Sequence, residues 1–269
     1  MTQLTRLDQL LVSQGLASSR TRAQRLIRNG RVYLKNGTPL SKPSEKWPLD
    51  TPLHIDEDPE ERYVSRAGLK LEGVLTAINM RLEGRIVLDI GQSTGGFTDC
   101  SLQFGAKHVI GVEVGHTQLA ERLRGDPRVM CLEGLNARHM TSSAALQQAV
   151  AKYPIDIAVM DVSFISQTLI LPEIASLLPT GGQLLSLVKP QFELEPGALD
   201  KRGIVRNASR YADVEQKIRD ACTACGLSIN HWQESPITGG DGNREFLLLA
   251  TKHQALVTKN QKLALKNQP

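Results

Sequence analysis

The sequence predicts an α/β chain: a small basic α+β domain, then a doubly wound domain with a seven-stranded, mostly parallel sheet. Three observations carry this. From Arg85 onward, short apolar runs alternate with helical patterns, the signature of a parallel sheet with crossover helices. A glycine-bearing loop, Gly91-Gln92-Ser93-Thr94-Gly95-Gly96-Phe97, follows the first of those runs. Charge is also unevenly placed. Residues 1–46 carry nine Lys or Arg against two Asp or Glu, whereas the rest of the chain carries 23 basic and 26 acidic side chains.

In chain order, Leu7, Leu10 and Leu11 share one face of a helix over residues 6–14, and Gly15 ends it. Ser18 or Ser19 caps a second helix reaching about Arg28. Ala23, Leu26 and Ile27 point inward on it, and Arg20, Arg22, Arg25 and Arg28 share the other face. Asn29-Gly30 closes this helix, residues 31–34 alternate like a strand, Asn36-Gly37 marks a hairpin, and Leu53-His54-Ile55 is a return strand. No carboxylate interleaves with the helix arginines, as i,i+4 surface pairs would require. The face therefore reads as a surface for a polyanion. Residues 56–62, DEDPEER, are acidic and aperiodic and read as a linker. The expected organisation is a basic domain at 1–56, a linker at 57–64, the doubly wound domain at 65–252 and a basic tail at 253–269.

Within the larger domain, strands are expected at 86–90, 109–114, 129–132, 156–162 and 183–189. A helix at 207–225 and an antiparallel pair at 227–232 and 244–252 complete it. A glycine loop after the first strand lets backbone approach a ligand closely. Glu113, 22 residues beyond Gly91, ends the second strand, where an acid accepts hydrogen bonds from a ribose. These two features alone suit a nicotinamide enzyme as well as a methyltransferase. The form Asp89-x-Gly-x-x-x-Gly-Gly is not GxGxxG and favours S-adenosylmethionine, which has no pyrophosphate needing a helix N-terminus. Four charged residues are expected where loops meet strand ends: Lys70 on a helix before the first strand, Asp161 after IAVM, Lys189 after LLSLV, and Glu245 before FLLLA. In open α/β sheets, ligands bind outside the carboxyl ends of the strands.

Two resemblances cover nearly the whole chain. The stretch RLDQLLVSQGLASSRTRAQRLIRNGRVYLKNG resembles the RNA-binding domain typified by small-subunit ribosomal protein four. It implies RNA contacts to backbone and shape from Arg6, Ser19, Arg20, Arg22, Arg25, Arg28 and Arg31. The order Lys70, Asp161, Lys189, Glu245 around DIGQSTGGF resembles the K-D-K-E tetrad of FtsJ-type RNA ribose 2′-O-methyltransferases. The segments YVSRAGLKL, GQSTGGFTD, LNAR, DVSFIS and LVKPQFE narrow the likeness to the TlyA (haemolysin A-like) group. Glu113 departs from the Asp common there, and LEGLNAR from ERTNAR, but Asn136 is retained.

What the resemblance implies is a Rossmann-like methyltransferase acting on ribosomal RNA and ribosomal subunits, with a cytidine ribose as acceptor. S-adenosylmethionine would be held by Asp89, Gly91, Ser93, Thr94, Gly95, Gly96, Phe97, Glu113, Asn136 and Asp161. Lys70, Asp161, Lys189 and Glu245 would be catalytic. Lys189 is expected to be the base, its pKa lowered by a second cation and an apolar wall, with Asp161 orienting it. Lys70 and Glu245 would position the hydroxyl.

Competing classes are a membrane-active haemolysin and a non-catalytic ribosome-binding protein. The longest apolar runs hold fewer than ten residues, against the roughly 20 of a membrane span. The N-terminus lacks a secretory pattern, and four scattered cysteines suit a reducing compartment, so the expected location is cytoplasmic. Cys222 and Cys225 form a lone CxxC at helical spacing and read as core. Base methylation is disfavoured, because DVSF replaces the NPPY-like motif.

Overall fold

A computed structural model describes residues 4–240 and 242–253. The chain divides between Arg62 and Tyr63 into two compact units. Apart from His253, the expected basic tail lies outside the described residues.

In the first unit, β1 (Leu4–Arg6) runs into α1 (Leu7–Ser13), and α2 (Arg20–Arg28) packs against α1. Ser19 caps α2 by accepting the Arg22 amide, as its sequence position suggests. Next come β2 (Val32–Leu34), β3 (Lys46–Pro48) and β4 (Leu53–Ile55). β2 pairs antiparallel with β4, the expected return strand. The β1–β3 pair was not foreseen: Arg6 is strand rather than helix, in register with Lys46. Three-residue strands are too short to show a period of two, so tertiary pairing rather than local pattern defines them. Leu7, Leu11, Ala23, Leu26, Ile27, Val32 and Leu40 form this unit's core.

Residues 57–62 are not a free linker. They belong to the first unit, and Pro59–Glu61 forms a 3-10 turn capped by Asp58. The Asp56 amide donates to the Arg31 carbonyl, and Asn29 donates to Asp58.

The second unit opens with α3 (Ala67–Ala77), β5 (Ile86–Ile90), α4 (Gly96–Gln103), β6 (His108–Glu113), α5 (Glu121–Arg124) and β7 (Val129–Glu133). It continues with α6 (Ala144–Lys152), β8 (Ile157–Met160), α7 (Leu171–Leu177), β9 (Gln183–Val188), α8 (Arg210–Ala224), β10 (Leu227–Glu234) and β11 (Phe246–Lys252). The seven strands lie in the order β10-β11-β9-β8-β5-β6-β7. β5 through β9 pair in parallel, whereas β11 runs antiparallel to both β9 and β10. β5, β6, β8 and β9 are almost wholly buried, which is why each is dominated by apolar residues, with polar breaks at Asp89, Glu113 and Ser186. Cys222 packs in the core beneath one face, as its helical spacing implies.

Chain order reverses at β5, with β6 and β7 on one side and β8 and β9 on the other. This is the crevice where doubly wound folds bind ligands. The antiparallel β11 brings the start of its strand to the same edge where β8 and β9 end. Phe246 is in register with Val188, so Glu245 and Lys189 leave neighbouring strands side by side.

Candidate active site

Lys70, Asp161, Lys189 and Glu245 resolve into two ion pairs. Lys189 Nζ lies 2.5 Å from Asp161 Oδ1 and donates to Ser163 Oγ at 2.9 Å. Lys70 Nζ, reaching in from α3, lies 2.5 Å from Glu245 Oε2. Lys70 is 6% and Glu245 2% exposed, so this second pair is taken out of water. Each ammonium is therefore matched by a carboxylate. The expected electrostatics, one lysine set beside another cation, is not what the fold builds.

A cavity of about 770 Å³ opens beside Asp161, within the usual range for small-ligand sites. Gly91, Ser93, Glu113, Asn136 and Asp161 line it, with Val114, Leu135, Ile165 and Leu169 as apolar wall. A smaller recess of about 190 Å³ shares Gly91, Ser93, Asp161 and Ser163 and adds Thr94, Gly96, Phe97 and Lys189. Glu113 accepts the amides of Ser93 and Gly115, each at 2.7 Å, which fixes its carboxylate at the cavity edge. Asn136 caps the 3-10 segment Ala137–Ser142 by accepting the Arg138 amide.

Two expected cofactor residues line neither space. Asp89 is fully buried behind the loop and accepts the Thr98 hydroxyl at 2.6 Å. Its other oxygen has no hydrogen-bond partner among the described residues. Burial, reinforced by the nearby Asp161 and Glu113 charges, pushes this carboxyl up to about 7. Gly95 has a left-handed φ of 96°, and a Cβ there would meet Leu123 at 2.4 Å and Leu119 at 2.8 Å. Its lack of a side chain serves packing against α5 rather than ligand approach. At Gly91, with φ of 80°, a Cβ would strike the Asp161 carbonyl at 2.4 Å, so this glycine lets two strand ends close together.

Sequence reasoning passed over Phe164. It is 92% exposed, its φ is a left-handed 64°, and its ring tilts against Phe192 at 5.1 Å between centroids. An outward aromatic on strained backbone, three residues past Asp161, was signalled only by its place in DVSF.

The arginines of the first unit are also engaged. Arg6 and Arg20 both donate to the buried Asp8, at 3.0 and 2.8 Å, and Gln24 adds a third donor at 2.7 Å. These donors, Arg6 foremost, hold the Asp8 carboxyl well below the usual carboxylate range. Arg22 grips Glu61 with two bonds of 2.7 Å, and Arg25 adds one of 2.8 Å. The expectation of an unpaired basic face fails here, because its carboxylates come from outside the helix. Arg28 and Arg31 have no carboxylate partner among the described residues. Arg28 is exposed and Arg31 half-buried.

The family model described as FtsJ-like methyltransferase matches residues 63–252, and that described as S4 domain matches residues 5–46. The chain belongs to the FtsJ-like methyltransferase family. It is 47% identical over 243 residues to a Bacillus subtilis protein provisionally named rRNA methyltransferase YqxC, covering 90% of this chain and 84% of that one. To the 16S/23S rRNA (cytidine-2′-O)-methyltransferase TlyA of Mycobacterium tuberculosis it is 38% identical, covering 92% and 90%. A solved structure from Streptococcus thermophilus, provisionally named a hemolysin, superposes with a TM-score of 0.70 at 39% identity, covering 99% and 96%.

An FtsJ-like methyltransferase draws its methyl group from S-adenosylmethionine, and the cavity's donor set fits that molecule. Acid at Glu113 suits ribose hydroxyls, the apolar wall suits an adenine, and acid at Asp161 suits a cationic amino acid end. No helix among the described residues is long and apolar enough to cross a membrane.

Proposed function

We propose that this methyltransferase modifies the 2′-hydroxyl of a cytidine ribose in ribosomal RNA, docking on ribosomal subunits through its S4 domain. The observation that carries the reading is the pair of lysine–carboxylate contacts at adjoining strand ends, beside a cavity suited to a nucleoside. The named activity of the Mycobacterium tuberculosis relative supports the acceptor.

The bound cofactor supplies an electrophilic methyl sulfonium. A ribose hydroxyl is a poor nucleophile, so the chain's own groups must place it in line and take its proton. Lys189, once its ammonium has released its own proton to solvent, is the neutral amine that takes the hydroxyl proton, with Asp161 and Ser163 fixing its direction. Lys70 and Glu245 form a fixed dipole that positions the hydroxyl. Phe164 offers an exposed ring on which the acceptor base, turned out of its stack, can lie. Glu113 and Asn136 hold the cofactor's nucleoside end, and Asp161 faces its amino group.

Ribosomal subunits lacking the modification, incubated with purified protein and labelled S-adenosylmethionine, test this directly. Digestion to nucleosides should yield labelled 2′-O-methylcytidine by mass spectrometry. Label on a base, on the ribose of another nucleoside, or on no nucleoside at all would overturn the reading.

A further inference from the structure

Glu193 ends the LVKPQFE motif, yet nothing in the chemistry above uses it. It is 7% exposed and closes the 3-10 turn Pro190–Phe192 that follows β9. One carboxylate oxygen accepts the Gln167 amide at 2.8 Å, and the other accepts the Ser166 hydroxyl at 2.5 Å. Lys217 on α8 brings its ammonium to 3.0 Å from that second oxygen and also donates to the Glu193 carbonyl at 2.7 Å. Gln167, itself buried, accepts the Ser186 hydroxyl of β9 at 2.7 Å. One carboxylate thus ties together β9, α8 and the two segments that leave β8 and β9.

Those segments carry the reacting groups. The one after β8 bears Asp161, Ser163 and Phe164, and the one after β9 bears Lys189. The one after β9 is a short 3-10 turn, but the one after β8 is irregular from 161 to 166, so side chains must set its course. At the pocket they are joined by Lys189 with Asp161 and Ser163. At the far end Glu193, with Ser166 and Gln167, joins them. Left-handed Phe164 sits between the two ties, and Ile165, Ser166 and Leu169 beside it line the cofactor cavity. A buried carboxylate is a costly way to fill space. Its acceptors here match donors of the reacting segment, which apolar packing would leave unpaired.

We infer that Glu193 is a positioning residue for methyl transfer. It anchors the segment bearing Asp161, Ser163 and Phe164 to the segment bearing Lys189, and so fixes the lysine's aim and one wall of the cofactor cavity. The inference rests on the reaction proposed above for the site.

The test compares Glu193→Ala, Glu193→Gln, Ser166→Ala and Lys217→Met in the full chain. Glu193→Ala should lower kcat by about 10²-fold, the scale of an ångström-sized misplacement, and weaken S-adenosylmethionine binding in calorimetry. Glu193→Gln keeps acceptor capacity toward Gln167 and should recover most of kcat. Lys217→Met should lower Tm while leaving kcat within a few-fold, because it removes the counter-charge and not the tie. Ser166→Ala, which removes the bond to Glu193 together with the hydroxyl's contacts to the Thr168 amide and hydroxyl, should lower kcat with a smaller fall in Tm than Glu193→Ala and gives a reading even where Glu193→Ala fails to fold. A merely structural role would give the opposite split: lower Tm for Glu193→Ala, with wild-type kcat and cofactor affinity well below the melt. That result would overturn the inference, as would a Lys217→Met kcat as low as that of Glu193→Ala. Cofactor affinity does not depend on the nucleotide methylated. If wild-type protein made no 2′-O-methylcytidine, the reaction would fall while the calorimetry still judged Glu193.

Discussion

Lys189 and Asp161 form an ion pair 2.5 Å apart at the ends of neighbouring parallel strands, and the same amine donates a hydrogen bond to Ser163. The amine is held by an ion pair and a hydrogen bond to one segment, so its direction is set before any substrate arrives. Replacing Lys189 by Met should slow methyl transfer by about 10²–10⁴-fold, the usual worth of a general base. Arginine should not restore the rate, since a guanidinium stays protonated and has a different fork. Calorimetry should find S-adenosylmethionine and RNA still bound. Near wild-type production of 2′-O-methylcytidine by Lys189→Met would assign the reaction to alignment and electrostatics alone.

Lys70 and Glu245 form the more deeply buried pair. Lys70→Met leaves the Glu245 carboxylate uncompensated and should cost about 3–5 kcal/mol in denaturant unfolding. Lys70→Met with Glu245→Gln removes both charges and should regain most of that stability while remaining slow in methyl transfer. Recovery of full activity in the double variant would show the pair to be scaffolding only.

The arginine face should be tunable through Glu61, which occupies Arg22 and Arg25. Glu61→Gln should tighten RNA binding and steepen its log–log salt dependence by about one, as a freed cation meets a phosphate. Reversing Arg20 and Arg25 to Glu should do the opposite, with S-adenosylmethionine binding unchanged. Filter binding across a salt series reads both, and unchanged RNA affinity in both variants would remove this face from the docking surface.

Asp89 gives the second unit a pH dependence of a definite sign. Its carboxyl rises to about 7 on folding, chiefly through burial, from roughly 3.9 in an unfolded chain. Between those values the folded state binds the extra proton, so this group's contribution falls as pH rises from about 4 to 7 and is flat above. The full loss is at most about 4 kcal/mol. Asp89→Asn should flatten that descent in urea titrations at successive pH values. A variant whose stability still fell as steeply as wild type would place the dependence elsewhere.

Much of this was legible in the sequence. The strands of the parallel sheet announce themselves because strands buried on both faces must be largely apolar, and α2 with its Ser19 cap follows from helical spacing and one short polar side chain. Lys70, Asp161, Lys189 and Glu245 stand out because each charge interrupts or borders an apolar run. Only the tertiary structure decided who faces whom. Glu245 reaches Lys70 across 175 positions because β11 runs antiparallel beside β9. Asp8 and Glu61 meet arginines that sequence spacing left unpaired, because packing α1 and the 59–61 turn on α2 creates neighbours that no helical period encodes. Gly95 shows the same limit: its position marks a loop, but whether the missing side chain makes room for a ligand or for Leu119 and Leu123 depends on where α5 lies. Local pattern fixes which face of an element is apolar. The partner of a buried charge is set by how the elements pack, and with it the use to which that charge can be put.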